Sequence, residues 1–523
     1  MATAKKSSGA YHVRSGPSPW VLGFEGRSFP AALGGAIRAG QVSGLMLFRD
    51  NLGNSVEEAR ALRDEIAAYV PSGAPFLFLC DEEGGLIHPT AGMRDSHGTP
   101  WPAVPTPGAL GRLGRAADVR FVGSVLGERL RQLGIHVDLA PLLDLDTHPE
   151  NGVIGTRSYG SDPERVAILG WAFTRGLAAT RTVGCFKHYP GHGGTTQDSH
   201  RTLPIMEPRQ RALHEKPFVE CLRRPASDPS WLMTAHVDWG DGLPASLSRA
   251  VISRVTRKTK DHLVITDSLD MGAVSLKDGA GEQALLAHND VLLVARDWRA
   301  GLHSIASVEQ RLDREPALLA AMVRARSRIR DSWSTTSRRR RGGDLTPAQI
   351  AQVEKELARL HRVSVELRGD PGSLPKGPWI WILPMGLAPY TELRGWNPPA
   401  GKRRHCAEIA WIPEEDGGWT EFARRLASDP RPKLLGTLFR GAPHAAVASR
   451  WSALLDLPGL EVIAHLLDSL WPTTAQLEAI SGRPRVALAS GPHRESLTGL
   501  AEALDLTQRA WVSRDGSQFP VDS

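Results

Sequence analysis

The stretch Gly184-Cys185-Phe186-Lys187-His188-Tyr189-Pro190-Gly191-His192-Gly193-Gly194-Thr195-Thr196-Gln197-Asp198-Ser199-His200 decides the fold. Its first three residues read as a short buried strand, so the basic pair Lys187-His188 falls at a strand end. Pro190 and Gly191 then break regular structure, and Asp198 and His200 arrive on an irregular loop. Ionisable groups on loops at strand ends are where enzymes place their chemistry.

Working outward, short apolar runs alternate with helical patterns from about residue 20 to 330. The runs are Gly44–Phe48, Pro75–Leu79, Val137–Ala140, Gly184–Phe186, Trp231–Thr234, His262–Ile265 and Val291–Val294. They are mostly continuous rather than alternating, as parallel strands buried on both faces require. Between them lie segments such as Ala117 to Leu133, with apolar residues three and four apart. Repeated strand–helix units predict a TIM-type (β/α)8 barrel over residues 1–330. The residues just beyond the runs support this. Asp81 comes after Leu79-Cys80, and Asp144 and Asp146 after the Leu139 run. Lys187-His188 comes after Phe186, His236 after Thr234-Ala235, and Asp267 after Ile265-Thr266. A closed barrel brings these polar residues to one mouth.

Residues 331–375 read as a linker with a connecting helix. Thr346, Pro347 and Gln349 form a helix start, with an N-cap, a first-turn proline and a capping-box partner. Ile350, Val353, Leu357 and Leu360 continue along one face. From 376 to 523 a smaller α/β sandwich is predicted, on strands Trp379–Leu383, Ala407–Ile412, Leu434–Leu438, Glu461–Ala464 and Arg485–Ala489. No catalytic constellation falls in it, so a structural or assembly role is expected.

The 523 residues are 41% hydrophobic and 23% charged, which suits a globular protein of two domains. No apolar stretch is long enough to span a bilayer, and Met1 to Ser18 has no apolar core of a secretory signal, so no membrane association is expected. Cys80, Cys185, Cys221 and Cys406 lack metal-type spacing, as in a reducing cytoplasm. The net charge of +6 comes from 63 basic against 57 acidic residues. Its one basic block, Arg338–Arg341, lacks interleaved aromatics, so a solvated linker is expected rather than a nucleic-acid partner.

Asp198 and His200 lie two apart, and a carboxylate bonded to an imidazole orients it and raises its basicity. Such a dyad exchanges a proton near neutrality. Asp267 ends an apolar strand and precedes a turn into a helix, so it is either a nucleophile or an N-cap. A carboxylate nucleophile with a proton-shuttling group is what retaining glycosyl transfer needs. The competing use is zinc held by His188, His192, Asp198 and His200. Pro190-Gly191 forbids the helix that would align the first two, leaving only loop folding to gather them. No metal or other cofactor is therefore expected.

Taken together, these residues resemble family 3 glycoside hydrolases, in their β-N-acetylglucosaminidase branch. The branch's Lys-His-Phe-Pro-Gly-His-Gly, four residues, then Asp-x-His is met from Lys187 to His200, with Tyr189 replacing phenylalanine. Asp81–Gly85 is similar to the family's Asp-Gln-Glu-Gly-Gly, and Leu139–Asp144 to its Phe-Ala-Pro-Val-Leu-Asp. Asn151–Gly160 is similar to its Asn-Pro-Val-Ile-Gly-x-Arg-Ser-Phe-Gly. Pro244–Ser248 and Thr266–Met271 match two further signatures, all in the family's order. The resemblance implies Asp267 as nucleophile and His200 as general acid/base, oriented by Asp198. It implies that Asp81, Arg157, Lys187 and His188 hold the hydroxyls of the bound sugar.

Two departures stand out. The family's arginines after Glu-Gly-Gly are Leu86 and Pro89 here, and its Ala-Gly-x-Asp is Ala287-His288-Asn289-Asp290. The expected activity is a retaining exo-β-N-acetylglucosaminidase on terminal N-acetylglucosamine, suited to cytoplasmic muropeptide recycling, with the oligomeric state open. The alternatives are a phosphorylase on the same scaffold, a metal-dependent hydrolase, and a non-catalytic sugar-binding protein.

Overall fold

The computed structural model describes residues 16–336, except 149–150, 152, 196–201, 225–229 and 257–261, then 346–363 and, farther on, the elements named below. Eight parallel strands form the first sheet: β1 (Trp20–Gly23), β2 (Gly44–Met46), β3 (Leu77–Cys80), β4 (Val137–Asp138), β5 (Val183–Tyr189), β6 (Trp231–Thr234), β7 (Leu263–Thr266) and β8 (Leu292–Val294). Their order is β7-β6-β5-β4-β3-β2-β1-β8. A parallel bridge between Ile265 and Val291 brings the two ends together. The expected TIM-type barrel is the observed one. Its first strand, Trp20–Gly23, is too short a run to stand out in the sequence.

Side chains alternate across each strand, and the core keeps that period. Val21, Met46, Leu77, Leu79, Val137, Val183, Cys185, Trp231, Met233, Leu263, Ile265 and Leu293 belong to one buried cluster drawn from all eight strands, the barrel interior. Their neighbours Leu22, Phe78, Phe186 and Leu232 pack outward into separate clusters beneath the helices. Helices start where capping residues sit. Ser55 accepts from the Glu58 N–H at 3.2 Å, Thr106 from Ala109 at 3.1 Å, and Asp162 from Arg165 at 2.8 Å.

At the opposite end from the mouth, Asp290 accepts from the Val264 N–H at 2.9 Å and pairs with Arg324 and Arg328 at 2.6 and 2.9 Å. Two residues earlier, His288 stands at φ +79° where the family has glycine. An imidazole-bearing residue is strained there and glycine is not. Burial, together with the cations of Arg324, Arg249 and Arg328, also pushes the ring's pKa down to about 4. The unfolded chain takes up this proton near pH 6.5. Stability is therefore lost as pH falls from there toward 4. His288→Gly is expected to raise stability by about 0.5–1 kcal/mol at pH 7, and by more at pH 5. Urea midpoints at the two pH values check this, and a midpoint lowered at both would refute the strain argument.

The capping box at Thr346 is present. The Gln349 N–H donates to Thr346 Oγ1 at 3.3 Å, and the Thr346 N–H to Gln349 Oε1 at 2.9 Å. The helix Pro347–Val363 lays Leu357 and Leu360 into the barrel's outer core. Arg359 reaches Asp118 at 2.9 Å, and His361 Nε2 lies 3.2 Å from the Ala103 carbonyl.

A second sheet holds β9 (Glu366–Arg368), β10 (Ile380–Pro384), β11 (Glu408–Ile412), β12 (Lys433–Thr437), β13 (Leu460–His465) and β14 (Arg485–Leu488). Its order is β11-β10-β12-β13-β14-β9, parallel except where β9 meets β14. The five expected strands are all there, within about one residue at each end. The sixth, β9, lies in a stretch that reads only as linker in the sequence.

Candidate active site

Barrel alternation builds the site. Leu79, Cys185 and Ile265 point into the barrel, so the residues two farther along each chain, Asp81, Lys187 and Asp267, share that face at the carboxyl ends of β3, β5 and β7. The Lys187 ammonium lies 2.6 Å from both Asp81 and Glu83. Glu83 in turn accepts two bonds from Arg157, from Nε at 2.8 Å and Nη2 at 2.7 Å. The apolar run in the sequence ends at Phe186, but β5 continues through Tyr189. Neighbouring backbone supports the extension: the Leu143 N–H donates to the Lys187 carbonyl at 2.7 Å, and the Ala235 N–H to the Tyr189 carbonyl at 2.7 Å. Two carboxylates let a lysine occupy an inward strand position.

Asp144 organises the other side. Fully buried, it accepts from His188 Nδ1 at 2.7 Å, from the His188 N–H at 3.1 Å and from the His192 N–H at 2.6 Å. This fixes the His188 ring so that Nε2 lies 4.0 Å from Asp267 Oδ2. Asp267 also accepts from the N–H of the adjacent Ser268 at 2.8 Å; a turn and not a helix follows it, so the N-cap alternative is not met, and the carboxylate stays open to the mouth.

The electrostatics separate holders from reactants. Burial acts to raise the Asp267 pKa, but His188, His236, the Ser268 N–H and Lys187 reverse it and hold the group below the usual carboxylate range. Glu83 resists burial in the same way through Arg157 and Lys187, and stays well below that range. Both cations stay charged against their own burial, held up by these carboxylates. Side-chain exposure then grades the groups: Asp81 31%, Asp267 18% and His188 10%, against Lys187 2%, Glu83 1% and Asp144 0%. The first three are the most open to the mouth; Glu83 and Asp144 position their neighbours, and Lys187 lies just beneath Asp81.

Asp81, Arg157, Lys187, His188 and Asp267 thus gather in one place, as the sequence leads one to expect. Asp198 and His200 lie outside the described residues. His236, expected among the polar groups of the mouth, is fully buried instead. Its Nε2 donates to the Ser268 carbonyl at 2.8 Å and its Nδ1 meets Ser246 Oγ at 2.6 Å, so it braces the turn after Asp267. Glu83 carries no role in the sequence reading, and Asp144, expected among the polar groups of the mouth, is fully buried beneath His188 instead; both stand in motifs of the resemblance. Of the candidate zinc set the described members are His188 and His192, which sit edge to face, 6.4 Å between ring centres, with the His188 ring and the His192 backbone N–H both bonded to Asp144. Among the described residues no group of three or more His, Cys, Asp or Glu could hold a metal ion.

Where the family's two arginines are missing, Arg49 reaches over from beyond β2 and donates to the carbonyls of Pro89 and Ala91 at 2.8 and 2.6 Å. The loop after Gly85 is tied from a different strand. Glycine is required at 193 for close approach of backbone, while at 194 a side chain would have to displace the ends of neighbouring side chains. A Cβ at 193 would stand 1.7 Å from the Leu145 carbonyl oxygen, and one at 194 would meet Gln210 and His214 at 2.5 and 2.6 Å.

Comparison with known proteins gives the chain its family. Residues 27–327 match the sequence profile of the glycosyl hydrolase family 3 N terminal domain. The chain is 30% identical to a beta-hexosaminidase of Bordetella avium over 296 residues, 53% of this chain and 80% of that protein. It is 28% identical to beta-hexosaminidase A of Pseudoalteromonas piscicida over 270 residues, 47% of this chain and 44% of that protein's length. The structure of a family 3 beta-N-acetylglucosaminidase from Paenibacillus sp. superposes with TM-score 0.74 at 23% identity, covering 94% of this chain and 95% of that one. The chain belongs to glycosyl hydrolase family 3.

Proposed function

We infer that this glycoside hydrolase is a retaining exo-β-N-acetylglucosaminidase. The observation that carries the reading is the ionised, mouth-facing carboxylate of Asp267, set beside His188 and across from the Asp81–Lys187–Glu83–Arg157 cluster. Two of the similar proteins carry the name beta-hexosaminidase, which supports N-acetylhexosamine as the sugar.

In the first step Asp267 attacks the anomeric carbon while His200, as imidazolium, gives its proton to the departing oxygen. A glycosyl ester forms and the aglycone leaves. In the second step neutral His200 takes a proton from water, whose oxygen displaces Asp267. Asp198 orients that imidazole. Asp81, Arg157, Lys187 and His188 hold the sugar hydroxyls; Lys187 and Arg157 arrive charged and fixed, so little reorganisation accompanies binding. Muropeptides in a reducing cytoplasm are the substrate and place we propose, supported by the unpaired, buried Cys80, Cys185 and Cys221.

A phosphorylase on this scaffold has one chemical argument: a neutral imidazole base does not repel phosphate as a carboxylate does. The test is turnover of an aryl β-N-acetylglucosaminide with and without phosphate. Free N-acetylglucosamine at the same rate in both buffers is expected. Sugar 1-phosphate as the main product would replace hydrolase by phosphorylase, and no turnover at all would refute the activity.

A further inference from the structure

Asn151 lies in a family motif, and its side chain joins two segments of the site. It is 4% exposed. Its Nδ2 donates toward the carbonyls of Thr195 at 2.9 Å, His192 at 3.3 Å and Gly193 at 3.5 Å. Its Oδ1 accepts from the N–H groups of Val153 at 3.0 Å and Ile154 at 3.1 Å. Only the primary amide supplies donors on one side and an acceptor on the other, so the network also fixes which atom is nitrogen.

Both joined segments reach reacting groups. His192 carries the N–H that Asp144 accepts, and Asp144 orients His188 beside Asp267. Val153 carries the carbonyl to which Arg157 Nη1 donates at 3.0 Å. Gly193 and Gly194 themselves bring no side chains to this junction. One buried amide bridges the two segments.

We propose that Asn151 is a positioning residue that fixes the turn 192–195, on the His188–Asp267 side of the site, relative to the segment bearing Arg157. Its effect on turnover rests on the β-N-acetylglucosaminidase reading; its effect on the backbone does not.

Asn151→Asp separates the two halves. The remaining oxygen still accepts from residues 153 and 154, while the other now confronts three carbonyls with no proton to give. Hydrogen exchange should accelerate at the amides of residues 191–195 and stay slow at 153–157. With an aryl β-N-acetylglucosaminide, kcat should fall by about 10–100-fold with KM nearly unchanged, and the alkaline limb of the kcat–pH profile should move. Asn151→Ala, which also releases the Arg157 segment, should raise KM as well. The proposal is overturned if exchange at 191–195 is unaltered, if exchange accelerates with kcat unchanged, or if both variants fail to fold, since the residue would then serve folding alone. A parent protein that does not turn the glycoside over sinks the functional reading instead, and exchange alone then decides the clamp.

Discussion

Asp267→Asn is expected to lower kcat/KM for an aryl β-N-acetylglucosaminide by on the order of 10⁴-fold while leaving the fold and its stability almost unchanged. The substitution keeps the shape and an oxygen that can accept the Ser268 N–H, so the turn that bears it survives. What it removes is the negative charge that His188, His236, Ser268 and Lys187 hold in place. An amide does not form the glycosyl ester that the proposed mechanism requires. A 2-fluoro glycoside with a good leaving group makes the assignment chemical rather than kinetic. Mass spectrometry should locate the label on Asp267 in the parent and find none in the variant. Label on another residue would transfer the nucleophile role there and leave Asp267 a brace of its own turn.

Glu83→Gln is expected to damage both stability and binding. Arg157 loses its bidentate carboxylate, and Lys187 loses one of its two partners, within a cluster where Glu83 and Lys187 are almost wholly out of water. Breaking a buried ion pair by removing one partner typically costs about 3–5 kcal/mol, because the surviving charge stays buried. Here two cations survive, and Asp81, still bonded to Lys187, takes up most of their charge. The Lys187 ammonium should swing fully onto Asp81, taking that mouth-facing carboxylate out of sugar binding. KM should rise at least about 10-fold, kcat should fall, and the urea midpoint should drop with its slope unchanged. Full stability with raised KM would mean that Glu83 serves substrate only. Unchanged KM with lost stability would mean that the cluster is structural and that Asp81 meets no sugar.

Much of this is legible in the chain. The continuous apolar runs and the polar residues after them indicate a barrel, since parallel strands hidden on both faces have few other homes. The motifs from Asp81 to Met271 indicate the family and its site residues. Sequence and structure part where local sequence contradicts tertiary context. Lys187 and His188 look like a strand's end because buried charges are costly, and only Asp81, Glu83 and Asp144, far away in sequence, make them tolerable inside β5. His236 looks like a mouth residue by position, and only the facing Ser246 and Ser268 turn it into a brace.

The sequence alone determined the barrel and the order of its strands along the chain, because apolar runs and the polar residues that follow them are properties of adjacent residues; the inward parity that sets Asp81 and Asp267 on one face came from the structure. Tertiary structure decided which charges meet: Glu83 between Lys187 and Arg157, Asp144 beneath His188, Asn151 across two loops. Those pairings join residues dozens to more than a hundred positions apart, and the strength of each depends on distance and burial, quantities that exist only once the chain has closed on itself.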